Sequence, residues 1–148
     1  MCGGVEYPNP FGEVRTVYFP SPTAELPVVT KEHDIAMLTW GRRRGEPGRL
    51  PVGGWARHES IEKGIWQKWN PVPVKIRVLR YMEKDSHKTS HWFDLPEEHV
   101  IQGLVAQLGD EQRVYVVTVQ AEGEFAKIHV RWPRIVPIRV DHQSSHVK

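Results

Sequence analysis

Cys2 is the only cysteine of this chain and directly follows Met1. Removal of Met1 would leave an α-amine of pKa about 7.7–8.0 beside a thiol of pKa near 8.5, so both nucleophiles would be available near neutral pH. Such a 1,2-aminothiol can trap an aldehyde as a five-membered thiazolidine, and its amine can act as a base for its own thiol. A lone cysteine is also often a small buried residue without a chemical role. Cys2 is therefore a candidate nucleophile or a core residue.

A second set of candidate residues is basic. Residues 41–54 hold five glycines, two prolines and four arginines, which predicts a long loop of functional type. The net charge of +2 is too small to establish a nucleic-acid partner, but clustered arginines are typical of surfaces that bind one. A solvated loop without a ligand is the alternative. Arg42, Arg43 and Arg44 of this loop, together with Lys63 further along the chain, are candidates to form a positive groove for DNA.

Several familiar reaction classes lack their signatures. The chain has no phosphate-binding loop ending in Gly-Lys-Ser/Thr, no His-Glu-x-x-His and no Gly-x-Ser-x-Gly, which disfavours nucleotide hydrolysis and zinc peptidase chemistry. The eight histidines are scattered, and the spacing of His87 and His91 falls on a predicted loop. We expect neither a metal nor a cofactor.

Length and composition limit the size and class of the domain that positions these residues. A chain of 148 residues with 39% hydrophobic and 26% charged positions fits one compact domain, expected over 1–140, with a polar tail over 141–148. One cysteine excludes an internal disulfide, and no opening stretch resembles a signal peptide, so the expected compartment is the cytoplasm. No apolar run approaches the roughly 20 residues that span a bilayer.

The hydrophobic pattern predicts a strand-rich domain. Seven segments are rich in β-branched, aromatic or aliphatic residues: 14–19, 35–40, 74–81, 100–108, 114–119, 127–132 and 135–140. Prolines between the first two predict an extended connection. One helix is expected after Ser60 as N-cap, with apolar core contacts, until Asn70-Pro71 ends it.

Five short pieces occur in an order that resembles the SOS-response-associated peptidase family. They are Met1-Cys2-Gly3, Trp40-Gly41, Ala56-Arg57-His58-Glu59-Ser60, the strand from Val78 to Lys84, and Ile128-His129-Val130-Arg131-Trp132-Pro133. The family's pieces read approximately Met-Cys-Gly-Arg, Trp-Gly, Asn-Ala-Arg-x-Glu-Thr, Gly-Phe-Tyr-Glu-Trp and Ile-His-x-Arg-Met-Pro. The resemblance covers roughly residues 1 to 136.

The resemblance implies a monomer that binds single-stranded DNA in the DNA-damage response and captures abasic sites covalently, associating with the nucleoid when DNA-bound. The implied fold is α+β, with a strongly bent mixed sheet or small barrel flanked by short helices. Cys2 would be the nucleophile, forming the thiazolidine after loss of Met1. Glu83 and His129 would be the acid–base pair, a role that a carboxylic acid or imidazolium tuned toward neutral pH can fill. Arg57 and Arg131 would contact phosphates.

Three departures from the family pattern affect the same site. Trp55 stands where the family has asparagine, which replaces an amide with a stacking surface for unpaired bases. Gly4 replaces an arginine, and Met82 and Lys84 replace the aromatic residues that flank the glutamate. Two other readings stay open: an N-terminal cysteine peptidase that cleaves itself or a partner, and a non-catalytic module for single-stranded nucleic acid.

Overall fold

The computed structural model describes residues 3–138 and folds them into strands and a few short helical segments. The strands are β1 (Gly4–Pro8), β2 (Val14–Tyr18), β3 (Glu25–Val29), β4 (Ile35–Thr39), β5 (Trp55–Arg57), β6 (Val72–Ile76), β7 (Arg80–Lys84), β8 (Ser90–Asp94), β9 (His99–Leu108), β10 (Glu111–Gln120), β11 (Arg131–Pro133) and β12 (Ile135–Pro137). One α-helix, α1 (His58–Glu62), and two 3₁₀ turns, Gln67–Trp69 and Gly123–Lys127, complete them. The prediction of a single α+β domain with short flanking helices is confirmed.

The strands form two sheets around one main core. The smaller sheet has the order β2-β1-β7-β8, with antiparallel neighbours throughout. The larger has the order β11-β10-β9-β6-β3-β4, with β12 paired to β9 and β5 paired to β10. Because β5 runs parallel to β10, the larger sheet is mixed. Val5 and Tyr81 of the smaller sheet pack with Leu26, Ile101 and Val116 of the larger one.

The larger sheet bends until its ends meet at Trp40. Trp40 follows β4 and forms a parallel bridge with Val114 of β10, where the Gly41 N–H donates to the Val114 carbonyl at 2.8 Å. The path from β10 through β9, β6, β3 and β4 thus returns to β10 as a small barrel. Trp40 is fully buried, and its indole N–H donates to the Gly54 carbonyl at 3.0 Å.

The barrel is open at the other end of β3. This strand pairs with β6 only at Val28–Ile76 and Val29–Lys75, after which the two diverge. β3 ends at Val29 and the turn toward β4 follows, so Val72 and Pro73 at the start of β6 have no β3 residue opposite them. A cleft therefore separates the β3–β4 hairpin from β6.

The predicted helix is shorter and begins earlier than expected. Its N-cap is Arg57 rather than Ser60, and α1 ends at Glu62 before Gly64, whose φ of 79° breaks the helix. The chain then makes a 3₁₀ turn that ends at Asn70 in the left-handed region. The predicted core contacts are confirmed for Ile61, Trp66 and Trp69, with the Trp66 and Tyr115 ring centroids 5.0 Å apart, whereas Ile65 is 52% exposed.

The strand predictions are correct for β2, β4, β9 and β10 and need two corrections. Segment 74–81 is divided between β6 and β7, because the Leu79 N–H bonds to Glu6 as the chain crosses to the smaller sheet. Segment 127–132 is mostly the end of a 3₁₀ turn and a loop, and only β11 is a strand there. The expected extended connection contains β3, and β1, β5 and β8 were not predicted. β12 ends at Pro137; residues 139–140 and the predicted tail lie outside the described residues.

We expect Gly54→Ala to destabilise the protein by about 1–3 kcal/mol, the usual cost of overpacking. A Cβ there would lie 2.6 Å from a ring carbon of Phe19 and 2.8 Å from the Trp40 indole nitrogen, at the point of barrel closure. Urea unfolding measures the change. Val52→Ala, a half-exposed side chain in the same loop, is the control and should change stability by about 0.5 kcal/mol or less. Equal effects of the two substitutions would contradict the packing argument.

Candidate active site

A cavity of about 740 Å³ lies between the smaller sheet, the start of β5 and the turn before β11. Gly3 and Met82 line it from the smaller sheet, and Trp55 lines it from β5. His129 lines it from the turn. The cavity therefore brings together pieces of the chain that are far apart in sequence.

The amino-terminal segment is fixed at this cavity through Gly3. The Gly3 N–H donates to the Met82 carbonyl at 2.9 Å, and the Gly3 carbonyl accepts from the Phe19 N–H at 3.1 Å. Cys2 lies outside the described residues. It is joined to Gly3 by a peptide bond, and consecutive Cα atoms are about 3.8 Å apart. A chain beginning at Cys2 would therefore have its terminal amine within a short reach of a lining residue.

Glu83 lies on β7 between Met82 and Lys84, which line the cavity, but it is not itself among the described lining residues, and its side chain is fully buried at 0% exposure. Side chains alternate along a strand, so Glu83 and Tyr81 share the face of β7 that packs on the core. Burial disfavours the charged carboxylate and raises the pKa of Glu83 to about 7. Near neutral pH this side chain can donate or accept a proton.

His129 is half-buried at the cavity wall, in the turn that follows the second 3₁₀ segment. Its backbone N–H donates to the Phe125 carbonyl at 3.2 Å, and its backbone carbonyl accepts from the Trp132 indole N–H at 3.1 Å. Its Nδ1 accepts the Arg131 N–H at 3.2 Å, so the neutral ring carries its proton on Nε2. Burial lowers the pKa of His129, which favours this neutral form.

Arg131 has internal partners that sequence reasoning did not foresee. Its guanidinium binds both carboxylate oxygens of Glu59 at 2.7 and 2.9 Å and donates to the Thr118 carbonyl at 2.8 Å. The Arg131 side chain is only 10% exposed. The pair holds α1 against β11 and so fixes the segment that carries His129. Its partners assign Arg131 a structural role, and the phosphate contact suggested by the sequence would have to displace them.

The other candidate cations divide into two groups. Arg42 donates to the carbonyls of Glu46 and Gly48, and Arg43 donates to the Phe19 carbonyl at 2.7 Å, so both hold the long loop in place. Arg43 also lies over the Phe19 ring, 4.4 Å from its centroid. The exposed candidates are Arg44, Arg57 and Lys63. None of these five side chains lines the cavity, and DNA binding by any of them stays a prediction.

Trp55 is positioned by a cluster of aromatic rings. Its ring centroid lies 4.8 Å from that of Phe19 and 6.2 Å from that of Trp40. Both Trp55 and Phe19 line the cavity, whereas Trp40 is the buried residue at barrel closure. The stacking surface that Trp55 was expected to offer therefore has a rigid backing.

Sequence reasoning missed four residues at the cavity wall. Tyr18 and Phe19 line it, and they close the first predicted strand as an aromatic pair, a signal that was visible in the sequence. Lys84 and Lys127 also line it, each close to a candidate catalytic residue. The two lysines bring positive charge to this wall, although Lys127 pairs with Glu124 at 3.3 Å and Asp85 also lines the cavity.

Gly4 has a structural explanation at the same wall. A Cβ on Gly4 would lie 3.0 Å from the Tyr18 ring, which covers the position from the neighbouring strand. Tyr18 in turn contacts Trp92 edge-on, with centroids 6.3 Å apart. An arginine at position 4, as in the family pattern, would have to displace this ring. The chain has an aromatic surface here in place of a guanidinium.

Among residues 3–138, no three His, Cys, Asp or Glu side chains are grouped so as to hold a metal ion. His91, one of the two spaced histidines, instead binds Asp85 through Nε2 at 2.8 Å. No helix in that range is long and apolar enough to cross a membrane. No protein-family model matches this chain, and no curated protein matches it either.

Replacing Glu83 by glutamine should make the protein more stable above pH 7 relative to wild type. The carboxyl has a pKa near 4.5 when unfolded and about 7 when folded, so its stabilising contribution is complete below pH 4.5 and is lost as pH rises through 7. The gap corresponds to on the order of 3 kcal/mol. The measurement is urea unfolding of both proteins across this pH range. Parallel pH profiles for the two proteins would refute the raised pKa.

Glu59→Gln should flatten the acid limb of the stability profile. The Arg131 hydrogen bonds lower the pKa of Glu59 to about 2, so its contribution is complete above the ordinary value of 4.5 and disappears as pH falls through 2. Unfolding midpoints between these pH values measure the loss. Glu62→Gln, in the same helix, is the control. The Glu62 carboxylate has no arginine partner, and its distance of 3.6 Å from His58 Nδ1 is longer than a hydrogen bond. An unchanged acid limb in Glu59→Gln would contradict the assigned role of the pair.

Proposed function

We propose that this protein captures abasic sites in single-stranded DNA by forming a covalent thiazolidine at Cys2, once the chain begins at that residue. The observation that carries the proposal is Glu83, a fully buried carboxyl with a pKa of about 7 next to the strand contact that holds Gly3. A buried carboxyl of this kind costs folding free energy, and strongly shifted pKa values of this sort are concentrated at functional sites. The order of sequence pieces described above supplies the substrate class, and the setting we propose is the cytoplasm.

The proposed reaction is a condensation that releases one water. The terminal amine adds to the aldehyde carbon of the ring-opened sugar, and the resulting carbinolamine loses its hydroxyl as water to give an imine. The Cys2 sulfur then adds to the imine carbon, while the thiol proton goes to the imine nitrogen. The ring contains a new C–N and a new C–S bond, and no oxidant or reductant is needed.

Glu83 and His129 have complementary proton roles in this scheme. The protonated Glu83 carboxyl donates to the departing hydroxyl, which requires an acid that is still protonated near neutral pH. His129, neutral with its Nδ1 accepting from the Arg131 N–H, offers its Nε2–H to the reacting groups as a hydrogen-bond donor, while the thiol proton passes to the imine nitrogen. Because burial raises the pKa of one group and lowers that of the other, their protonated and neutral forms coexist near pH 7.

The cavity wall favours an unpaired strand as the substrate. Trp55, Phe19 and Tyr18 offer aromatic faces, and Lys84 and Lys127 offer positive charge. Aromatic stacking and cations together are the usual means of binding single-stranded nucleic acid, and each stacked base contributes roughly 1–3 kcal/mol. This combination supports the proposed substrate more strongly than the arginine loop does.

The decisive experiment is intact-protein mass spectrometry after incubation with a single-stranded oligonucleotide that carries one abasic site. We expect an adduct with the mass of protein plus DNA less one water when the chain begins at Cys2. Cys2→Ala should give none, and a chain that retains Met1 should give none because its terminal amine is not beside the thiol. Glu83→Gln should slow adduct formation by roughly 10²-fold or more, the usual contribution of a general acid.

The control oligonucleotide carries a tetrahydrofuran in place of the abasic sugar, which removes the aldehyde but keeps the shape. It should bind without crosslinking. Adduct formation by Cys2→Ala at the wild-type rate, or none from the correctly processed protein, would refute the proposal. Release of a peptide fragment without DNA would favour the peptidase. Equal, steeply salt-dependent binding of lesion-free DNA without any adduct would favour the non-catalytic module.

A further inference from the structure

A second and larger cavity lies at the open end of the barrel, and the proposed function makes no use of it. Its volume is about 1260 Å³, and it extends from the β3–β4 hairpin across β6 and β9 to β12. It exists because β3 and β6 diverge after Val29 and Lys75. Mouths of β-barrels are common sites for small ligands, which occupy pockets of roughly 300–1,000 Å³. The cavity is large enough for an elongated molecule.

The floor of this cavity is aliphatic. Strand register places Val28 opposite Ala36, and Val72 opposite Val105, so these four side chains lie on the face that continues into the core. Leu38 and Val74 extend the same surface. No Phe, Tyr or Trp lines the cavity among the described residues. A floor of this kind suits an alkyl chain, whereas unpaired bases are normally held by aromatic faces.

The rim of the same cavity is basic. It contains Lys31, Lys75, Arg77 and Arg134, while no Asp or Glu is among the lining residues that the structure describes. Lys75 donates to the Ile138 carbonyl at 2.6 Å and Arg134 donates to the Gln102 side chain, so these two are held in place. Lys31 and Arg77 are exposed. The rim is complementary to a negatively charged head group.

From this arrangement we infer that the barrel mouth binds a long-chain monocarboxylate, with its alkyl chain on the aliphatic floor and its carboxylate at the basic rim. Burial of the chain supplies most of the affinity, since each buried methylene contributes about 0.8 kcal/mol, a factor of roughly four. The cations select the charged form of the head group over a neutral one. Lys75 and Arg77 alternate with Val74 and Ile76 and so lie on the opposite face from the floor. This places the carboxylate at the edge where β3 and β6 part, and a guanidinium there can donate two parallel hydrogen bonds to it.

The test is a titration of the full chain with cis-parinaric acid, a long-chain carboxylic acid that fluoresces in apolar surroundings. We expect saturable binding of one molecule per chain. A series of saturated carboxylic acids should displace the probe with an affinity that rises roughly fourfold per methylene. The methyl ester of the best competitor should bind about tenfold more weakly, because it lacks the charge that the rim recognises.

Three variants separate the two parts of the site. The double substitution Lys31→Ala with Arg77→Ala should weaken the acid about tenfold and leave the ester unchanged. Arg15→Ala, an exposed arginine of β2, is the matched control and should change neither. Ala36→Phe should fill the floor and abolish binding of both, with a thermal melt to establish that the variant is folded.

Three results would overturn the inference. They are equal affinity for the acid and its ester, displacement of the probe by a single-stranded oligonucleotide but not by carboxylic acids, and no saturable binding up to the solubility limit of the probe. None of these depends on Cys2 or on abasic DNA. The inference therefore stands or falls independently of the proposed function.

Discussion

Closure of the barrel at Trp40 is the interaction on which the rest of the structure depends. A sheet that bends through five strands leaves two edges with unpaired backbone groups, and the bridge to Val114 joins them. The same residue supplies the indole that holds Gly54, immediately before β5, and the ring face against which Phe19 and Trp55 pack. Barrel closure therefore fixes the positions of Phe19 and Trp55 in the candidate site. The absence of side chains at Gly54 and Gly41 is what allows these segments to approach so closely.

The buried carboxyl of Glu83 lowers the stability of the folded protein. An apolar residue of similar size would cost nothing there at neutral pH, whereas the carboxyl must either stay protonated or carry a charge inside the core. The surrounding structure offsets the cost, since β7 is paired on both sides and Tyr81 on the same face is packed in a ring cluster with Phe93 and Trp132. A rigid strand in the middle of a sheet is a suitable support for such a group, because a flexible one would relax to admit water and return the pKa to its ordinary value.

The sequence predicted some levels of this structure better than others, for physical reasons. Long apolar runs such as 100–108 identify β9 because their burial is a local property of the pattern. The division of 74–81 into two strands was not visible, since it depends on the crossing of Leu79 from one sheet to the other. The sequence named Glu83 as a candidate, but its full burial is a property of its neighbours in space. The partnership of Arg131 with Glu59, 72 positions away, is of the same kind, and no local pattern encodes it.

The two cavities show how one small barrel can separate two chemistries. Aromatic side chains are concentrated where the two sheets meet and beside barrel closure, so that cavity offers flat polarisable faces together with titratable groups. Aliphatic side chains form the open end, where β3 and β6 part, and no carboxylate lies there within the described range. β3 ends at Val29 and the chain then turns toward β4, so Val72 and Pro73 at the start of β6 have no β3 residue opposite them. The early end of β3 at Val29 therefore accounts for the open mouth, because a longer β3 could pair with the rest of β6 and fill this space.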